Sequence, residues 1–354
     1  PLVVMATRSS TGALQLHGYD AQDLFKRANL AFDAQDYVAA ARFYGQLLEE
    51  FPDSGLGAAS RYNLGLAFAH RELFREALNQ FDQLLTTWPE HVDSLSANFQ
   101  AAELSLQLED HLLAMRYADR LLARGDLGPA RRVEAMSLRA RGQLGAGAID
   151  DAARTARNAL FYYRRHRDSA PIHEEHFAAA SNFVLAESLR LTGQAIELPA
   201  DDEQGQRRAL GKKAEKLIDA QRAYFDTIRL TDSYWAGAAG YQIGSMYDAF
   251  WAQVMSAPVP GGLSEGARGH YPQQLALLVK PLLRHAIRYW ELTLAMAERT
   301  RTDSGWVARI KEDLVRVKAR LAEQPAGPGG LPREAVDAAG GQRKSPPVTS
   351  TSRP

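Results

Sequence analysis

The first residues to weigh are those that could hold a metal or move a proton. His173-Glu174-Glu175-His176 sets two imidazoles three positions apart, a spacing that chelates a metal when it lies on a helix. No third ligand follows at motif spacing, and the quartet is shorter than the His-Glu-x-x-His arrangement of metal-dependent hydrolases. Two acids just after Pro171 also suit a first helical turn, whose unpaired N–H groups favour negative charge. The quartet therefore reads as an acidic helix start. Asp201-Asp202-Glu203 lacks the spacing of a calcium loop and reads as solvated. Gly125-Asp126-Leu127-Gly128-Pro129 and Gly142-Gln143-Leu144-Gly145-Ala146-Gly147 are glycine-rich. Neither carries the Lys-Ser/Thr of a phosphate loop, and both read as turns between helices. The absence of cysteine removes thiolate nucleophiles, disulfides and Cys-ligated zinc together. The expectation is no enzyme, no metal site and no cofactor.

Helical periodicity dominates the elements that would position any site. The clearest stretch runs from Ala58 to Pro89, with Leu64-Gly65, then Phe68, then Ala77 and Phe81 four apart, then Pro89. This resembles a tetratricopeptide (TPR) repeat, whose pattern is Leu-Gly-x-x-Tyr, later Ala-x-x-x-Phe, later Pro. Gly65 and Ala77 are small where two helices cross closely, Phe68 and Phe81 fill the space left, and Pro89 cannot continue a helix. An earlier unit spans about Ala21 to Pro52, with Leu24, Ala28, Tyr37, Ala40 and Tyr44. The interval from Pro52 to Pro89 exceeds the standard period by three residues, which Gly55-Leu56-Gly57 absorbs as loop. A third unit, about Leu95 to Asp126, keeps Ala102, Ala114 and Ala118 without a closing Pro, and a fourth, about Val133 to Arg164, keeps Ala140, Ala152 and Ala156. Two longer units follow, one with Leu185-Ala186, Leu189, Ala220 and Tyr224, the other with Ile243-Gly244, Tyr247, Ala286 and Trp290. Gly65, Ala77, Phe81, Gly244, Ala286 and Trp290 are the expected repeat-packing residues.

The expected fold is all-α: a right-handed TPR-like α-solenoid of about six helix-turn-helix units with a C-terminal cap helix. Its divisions are a flexible N-terminal segment over 1–19, repeats one to four over 20–165, divergent repeats with elongated helices over 166–303, a cap helix over 304–323 and a disordered tail over 324–354. An insertion that includes Gly193 and Leu198 to Asp202, and a larger one centred on Pro258 to Gly262, map to one edge of such a stack. The cap carries Trp306, Ile310, Leu314, Val317 and Leu321 on one face.

Of the 354 residues, 45% are hydrophobic and 24% charged, with Lys+Arg equal to Asp+Glu. No basic run exceeds Arg164-Arg165-His166-Arg167, so protein partners are expected and nucleic acid is not. No apolar run is long enough to span a membrane. Pro1 to Ala6 is too short for an export-signal core, and a chain opening without Met is compatible with residues missing or removed upstream, a targeting segment among them.

In TPR stacks the first helix of each unit lines the concave face. Repeat arithmetic then places Phe25, Asn29 and Phe32 there from the first unit, Tyr62 and Asn63 from the second, and Phe99, Gln100 and Glu103 from the third. Aromatic area and amides suit a peptide or helical guest. The same aromatics could instead pack along the seam between helices. TPR domains that hold acidic chaperone tails use two asparagines and three cations at such positions. Asn29 and Asn63 match, but Phe25, Ser96 and Gln100 stand where the cations would be, so a less charged guest is expected.

The run Trp235-Ala236-Gly237-Ala238-Ala239-Gly240-Tyr241-Gln242-Ile243-Gly244, with Tyr247, Phe250, Pro258-Val259-Pro260, Tyr271, Ala286, Tyr289 and Trp306, resembles the C-terminal half of large TPR proteins from myxobacteria. These include TPR components of the gliding-motility machinery. The resemblance implies a periplasmic or envelope-associated scaffold with envelope-complex subunits as partners. The alternative is a cytoplasmic TPR sensor or co-chaperone that binds a short peptide.

Overall fold

Turns at near-equal spacing set the repeat. Gln35, Glu72, Glu109 and Gly147 all adopt positive φ, at 61°, 59°, 59° and 79°, and they lie 37, 37 and 38 residues apart. Each follows the end of a helix and closes it in the same way. The Gln35 N–H donates to Phe32 O at 2.9 Å and the Asp36 N–H to Ala31 O at 2.8 Å, the paired bonds of a Schellman motif. Glu72 and Leu73, Glu109 and Asp110, and Gly147 and Ala148 repeat it. At two of these turns the next residue starts the following helix, since Asp36 and Asp110 accept from the N–H groups of Ala39 and Leu113.

The computed structural model describes residues 3–8, 14–168, 175–199, 203–259, 264–302 and 304–324. Among them six antiparallel helix pairs follow one another: α1 (Ala21–Asp33) with α2 (Tyr37–Glu50), α3 (Gly57–His70) with α4 (Phe74–Thr87), α5 (Ser94–Gln107) with α6 (His111–Leu122), α7 (Pro129–Gly145) with α8 (Ile149–His166), α9 (His176–Gln194) with α10 (Glu203–Arg229), and α11 (Ser233–Met255) with α12 (Glu265–Thr300). A single helix, α13 (Gly305–Glu323), closes the stack. Each helix packs mainly on its neighbours in sequence, the arrangement of a TPR-like α-solenoid. Pro171, His173, Glu174, Asp201, Asp202, the Pro260 to Gly262 part of the second insertion and the expected disordered tail beyond Gln324 lie outside the described residues.

Close helix crossings fix the pairs. A Cβ on Gly65 would come within 2.7 Å of the Phe81 ring, and one on Gly244 would overlap the Trp290 indole. Ala77, Phe81, Ala286 and Trp290 are all fully buried. The longer pair α9–α10 is tied by polar groups as well. Buried Tyr224 donates to Glu187, which also pairs with Arg190. Buried Lys213 donates to the carbonyls of Gly193 and Gln194 at 3.2 and 2.9 Å, capping the end of α9, and burial holds its pKa below the usual ammonium value.

Three expectations change. The segment expected to be loose over 1–19 contains an antiparallel hairpin, β1 (Val3–Arg8) paired with β2 (Leu14–Tyr19). Tyr19 at its end is buried against Phe51 and donates to Glu50 at 2.6 Å, so the hairpin is fastened to the first repeat. Gly142 and Gly145 lie inside α7, not in a turn. A Cβ on Gly142 would come within 2.8 Å of Met115, and one on Gly145 would overlap the His111 ring, so these glycines permit close packing of α6 on α7. Finally, α9 begins at His176 with no acid in its first turn, and Glu175 is the residue before it.

Candidate functional site

Helix periodicity gathers the site. On α5, Ser96, Phe99, Gln100 and Glu103 recur at three- and four-residue intervals and so share one face. On α7, Arg131, Glu134 and Leu138 do the same. With Tyr62 from α3 and His176 and Phe177 from α9, they line an open trough of 380 Å³ along the first helices of four successive pairs.

The trough's charges are mostly satisfied internally. Glu103 receives a two-pronged bond from Arg141, at 2.6 and 2.9 Å. Arg131 lies 4.8 Å above the Phe99 ring and pairs with Glu134 at 2.7 Å. Arg141 also sits 5.4 Å from the Trp235 ring. The Trp235 indole N–H donates to His176 Nε2 at 3.3 Å, and His176 Nδ1 lies 2.8 Å from Asp232. An indole can only donate, so Nε2 is the acceptor and Nδ1 carries the proton toward Asp232. This chain of contacts braces α5, α7, α9 and α11 against one another at one wall. The Tyr62 hydroxyl has its pKa raised by burial, an effect reduced by its hydrogen bond with Ser96.

Of the residues expected on the concave face, Tyr62, Phe99, Gln100 and Glu103 meet in this trough. Phe25, Asn29, Phe32 and Asn63 do not line it. Phe25 packs edge-on to Tyr44 at 5.9 Å, and Phe32 packs against Tyr37 and His70 at 5.2 and 5.7 Å. Asn29 accepts from the buried Tyr44 hydroxyl at 2.6 Å, and Asn63 bonds the same hydroxyl. Both amides are thus engaged in joining the first two repeats. Phe99 itself is only 4% exposed, so it serves core and trough floor at once.

Sequence reasoning missed Arg131, Glu134, Leu138, His176 and Phe177. The repeat pattern weakens along the chain, and the concave-face positions read from it end with the third unit. Spacing did hold a signal, since Phe25, Tyr62 and Phe99 are 37 residues apart, the same interval as the turns. A second, wider depression of 1100 Å³ lies on the outer side between α4 and α6, its floor closed by the Tyr117 hydroxyl donating to Asp82 at 2.9 Å. Among the described residues no three His, Asp or Glu gather as a metal site, and no helix is long and apolar enough to cross a membrane.

No family model and no curated protein matches the chain. Among solved structures, a tetratricopeptide repeat protein from Parabacteroides merdae is similar at 15% identity and a TM-score of 0.42, over 84% of this chain and 98% of that one. The apo form of RapI aligns at 9% identity and a TM-score of 0.46, over 79% and 98%. MamA from Desulfovibrio magneticus aligns at 14% identity and a TM-score of 0.39, over 57% and 96%. At these levels the likenesses say nothing of what this chain binds.

Proposed function

We propose that the chain is a non-catalytic scaffold that holds a peptide or helix of a partner protein in the trough between Tyr62 and Phe177. The observation that carries this reading is an open, walled channel on rigid helices in which the Gln100 amide is offered without a described partner, between aromatic rings and ion pairs already closed on themselves. An amide matches a peptide group in both donor and acceptor. Internally neutralised charges favour a guest of low charge. A clamp for an acidic tail is disfavoured, because Asn29 and Asn63 are bonded to Tyr44. The setting we propose, a bacterial envelope assembly such as a motility complex, is supported by the resemblance of residues 235–306 alone. The cytoplasmic sensor would use the same trough.

Site-specific photocrosslinking in cells tests the assignment. A photoreactive residue at position 100 should trap one partner segment, and the same residue at outward-facing Leu112 should not. Gln100→Glu, which keeps the shape but removes the donor, should weaken capture by about tenfold while leaving helix content unchanged. Equal adducts from both positions, or capture indifferent to Gln100→Glu, would remove the trough from consideration.

A further inference from the structure

From Ala152 to Arg167 the chain carries five arginines and a histidine and not one acid, although acids and bases balance over the whole sequence. The stretch lies on α8, whose buried side consists of Ala152, Ala153, Thr155, Ala156, Ala159, Leu160 and Tyr163. That side packs on α7 and α9. The opposite side presents Arg154, Arg157, Asn158, Phe161, Arg164 and Arg165 to solvent. Phe161 is 67% exposed, with Arg157 one turn before it and Arg164 and Arg165 one turn after. Arg154 pairs with Asp151 at 3.0 Å. For Arg157, Arg164 and Arg165 no described residue serves as partner.

Helix electrostatics explain only part of this. Cations in a last turn are favoured by the carbonyl end of the helix, which accounts for Arg164 and Arg165. Arg157 lies more than two turns from the helix end, and a large aromatic ring left in water among arginines gains nothing from the dipole. We propose that this outer face of α8 seats the protein on an anionic lipid surface, with the arginines on headgroup phosphates and Phe161 entering the interface. The face is the exposed side of a single helix, and it spans only about 16 Å from Arg154 to Arg165 at the helical rise. That is short for tracking a nucleic-acid backbone but sufficient for a layer of headgroups. The apolar side of α8 is already packed on α7 and α9, so attraction of clustered arginines to anionic headgroups carries the binding, with the exposed Phe161 ring as the apolar anchor. The site is independent of the trough, which is built on α3, α5, α7 and α9.

Sedimentation with vesicles tests this on the full chain. Vesicles of phosphatidylcholine with phosphatidylglycerol should bind the protein, and phosphatidylcholine alone should not. Raised salt should release it, since surface charges are screened within about 8 Å at physiological ionic strength. Arg157→Gln with Arg164→Gln and Arg165→Gln should lower the partition roughly a hundredfold. Phe161→Ala should lower it by about tenfold with an unchanged salt dependence. All four side chains are exposed, so circular dichroism should be unaltered. Equal binding to neutral vesicles, no binding to either, or binding indifferent to the arginines would overturn the proposal. So would binding of duplex DNA or polyglutamate with the same arginine dependence while vesicles are ignored.

Discussion

At the scale of single residues, small side chains matter by what they touch. Gly45 and Gly65 both lie within helices, yet an added Cβ meets nothing within 4 Å at Gly45 and meets the buried Phe81 ring at 2.7 Å at Gly65. Gly45→Ala should therefore stabilise by roughly 0.5–1 kcal/mol, through reduced backbone entropy of the unfolded chain. Gly65→Ala should destabilise by roughly 1–3 kcal/mol through overpacking. Urea denaturation of the two variants checks the opposite signs, and a loss of stability for both would show that α2 is more crowded than it looks. Tyr44 gives a pH dependence. Burial raises its hydroxyl to about 12 against an ordinary value of 10.0, with Asn63 opposing the rise. The native state thus holds this proton more tightly than the unfolded state. Its contribution is complete below about pH 10 and is lost as pH rises through about 12. Tyr44→Phe should lower stability at neutral pH, because Asn29 and Asn63 lose their shared partner, and should flatten the alkaline decline relative to wild type. An identical decline in the variant would show that other groups govern it.

At the scale of elements, the closing helix is held by charge as well as by apolar contact. Ile310, Leu314 and Val317 of α13 are buried with Leu283 and Trp290 of α12, while Asp248 of α11 takes bonds from both Arg316 and Arg320. Tyr241 adds a bond to Asp313 at 3.1 Å. Arg316 is nearly half exposed, so water compensates part of any loss. Asp248→Asn should cost roughly 1–2 kcal/mol, and α13 amides should exchange about tenfold faster while α1 to α6 keep their protection. Unchanged exchange in α13 would mean that the apolar face alone holds it. This helix was legible in the sequence because its buried positions recur at three- and four-residue steps. The pairs from Ala21 to Thr87 were legible for a similar reason, since Gly65, Ala77 and Phe81 mark a crossing that few other folds require. Other features depend on contacts between helices, which no periodicity reports. Asn29 and Asn63 look like groove amides until Tyr44 is placed between them, and Gly142 looks like a turn until Met115 and His111 approach it. Phe99, Gln100 and Glu103 were legible because they share one face of α5, and Tyr62 because it stands one repeat interval before Phe99. The trough's other wall, on α7 and α9, was not.

At the scale of the molecule, each pair is fastened mostly to the next, so local damage need not spread through the stack. In such stacks stability is close to a sum of unit and interface contributions, and unfolding can proceed in parts. The five tryptophans make this testable, because Trp235, Trp251, Trp290 and Trp306 lie on α11 to α13 and only Trp88 lies in the first half. Fluorescence therefore reports mainly the last pair and its cap, whereas far-ultraviolet circular dichroism reports every helix. Gly244→Ala would drive a methyl into the Trp290 indole, whose N–H also donates to the Tyr241 carbonyl at 2.9 Å. Its fluorescence midpoint in urea should fall further than its dichroism midpoint, so that the two curves separate. Gly65→Ala should do the reverse, lowering the dichroism curve while the fluorescence midpoint stays nearly fixed. A chain unfolding as one cooperative unit would move both curves together in both variants. That outcome would mean the bracing from Glu103 through Arg141 and Trp235 to His176 couples the two halves strongly enough to override the repeat organisation.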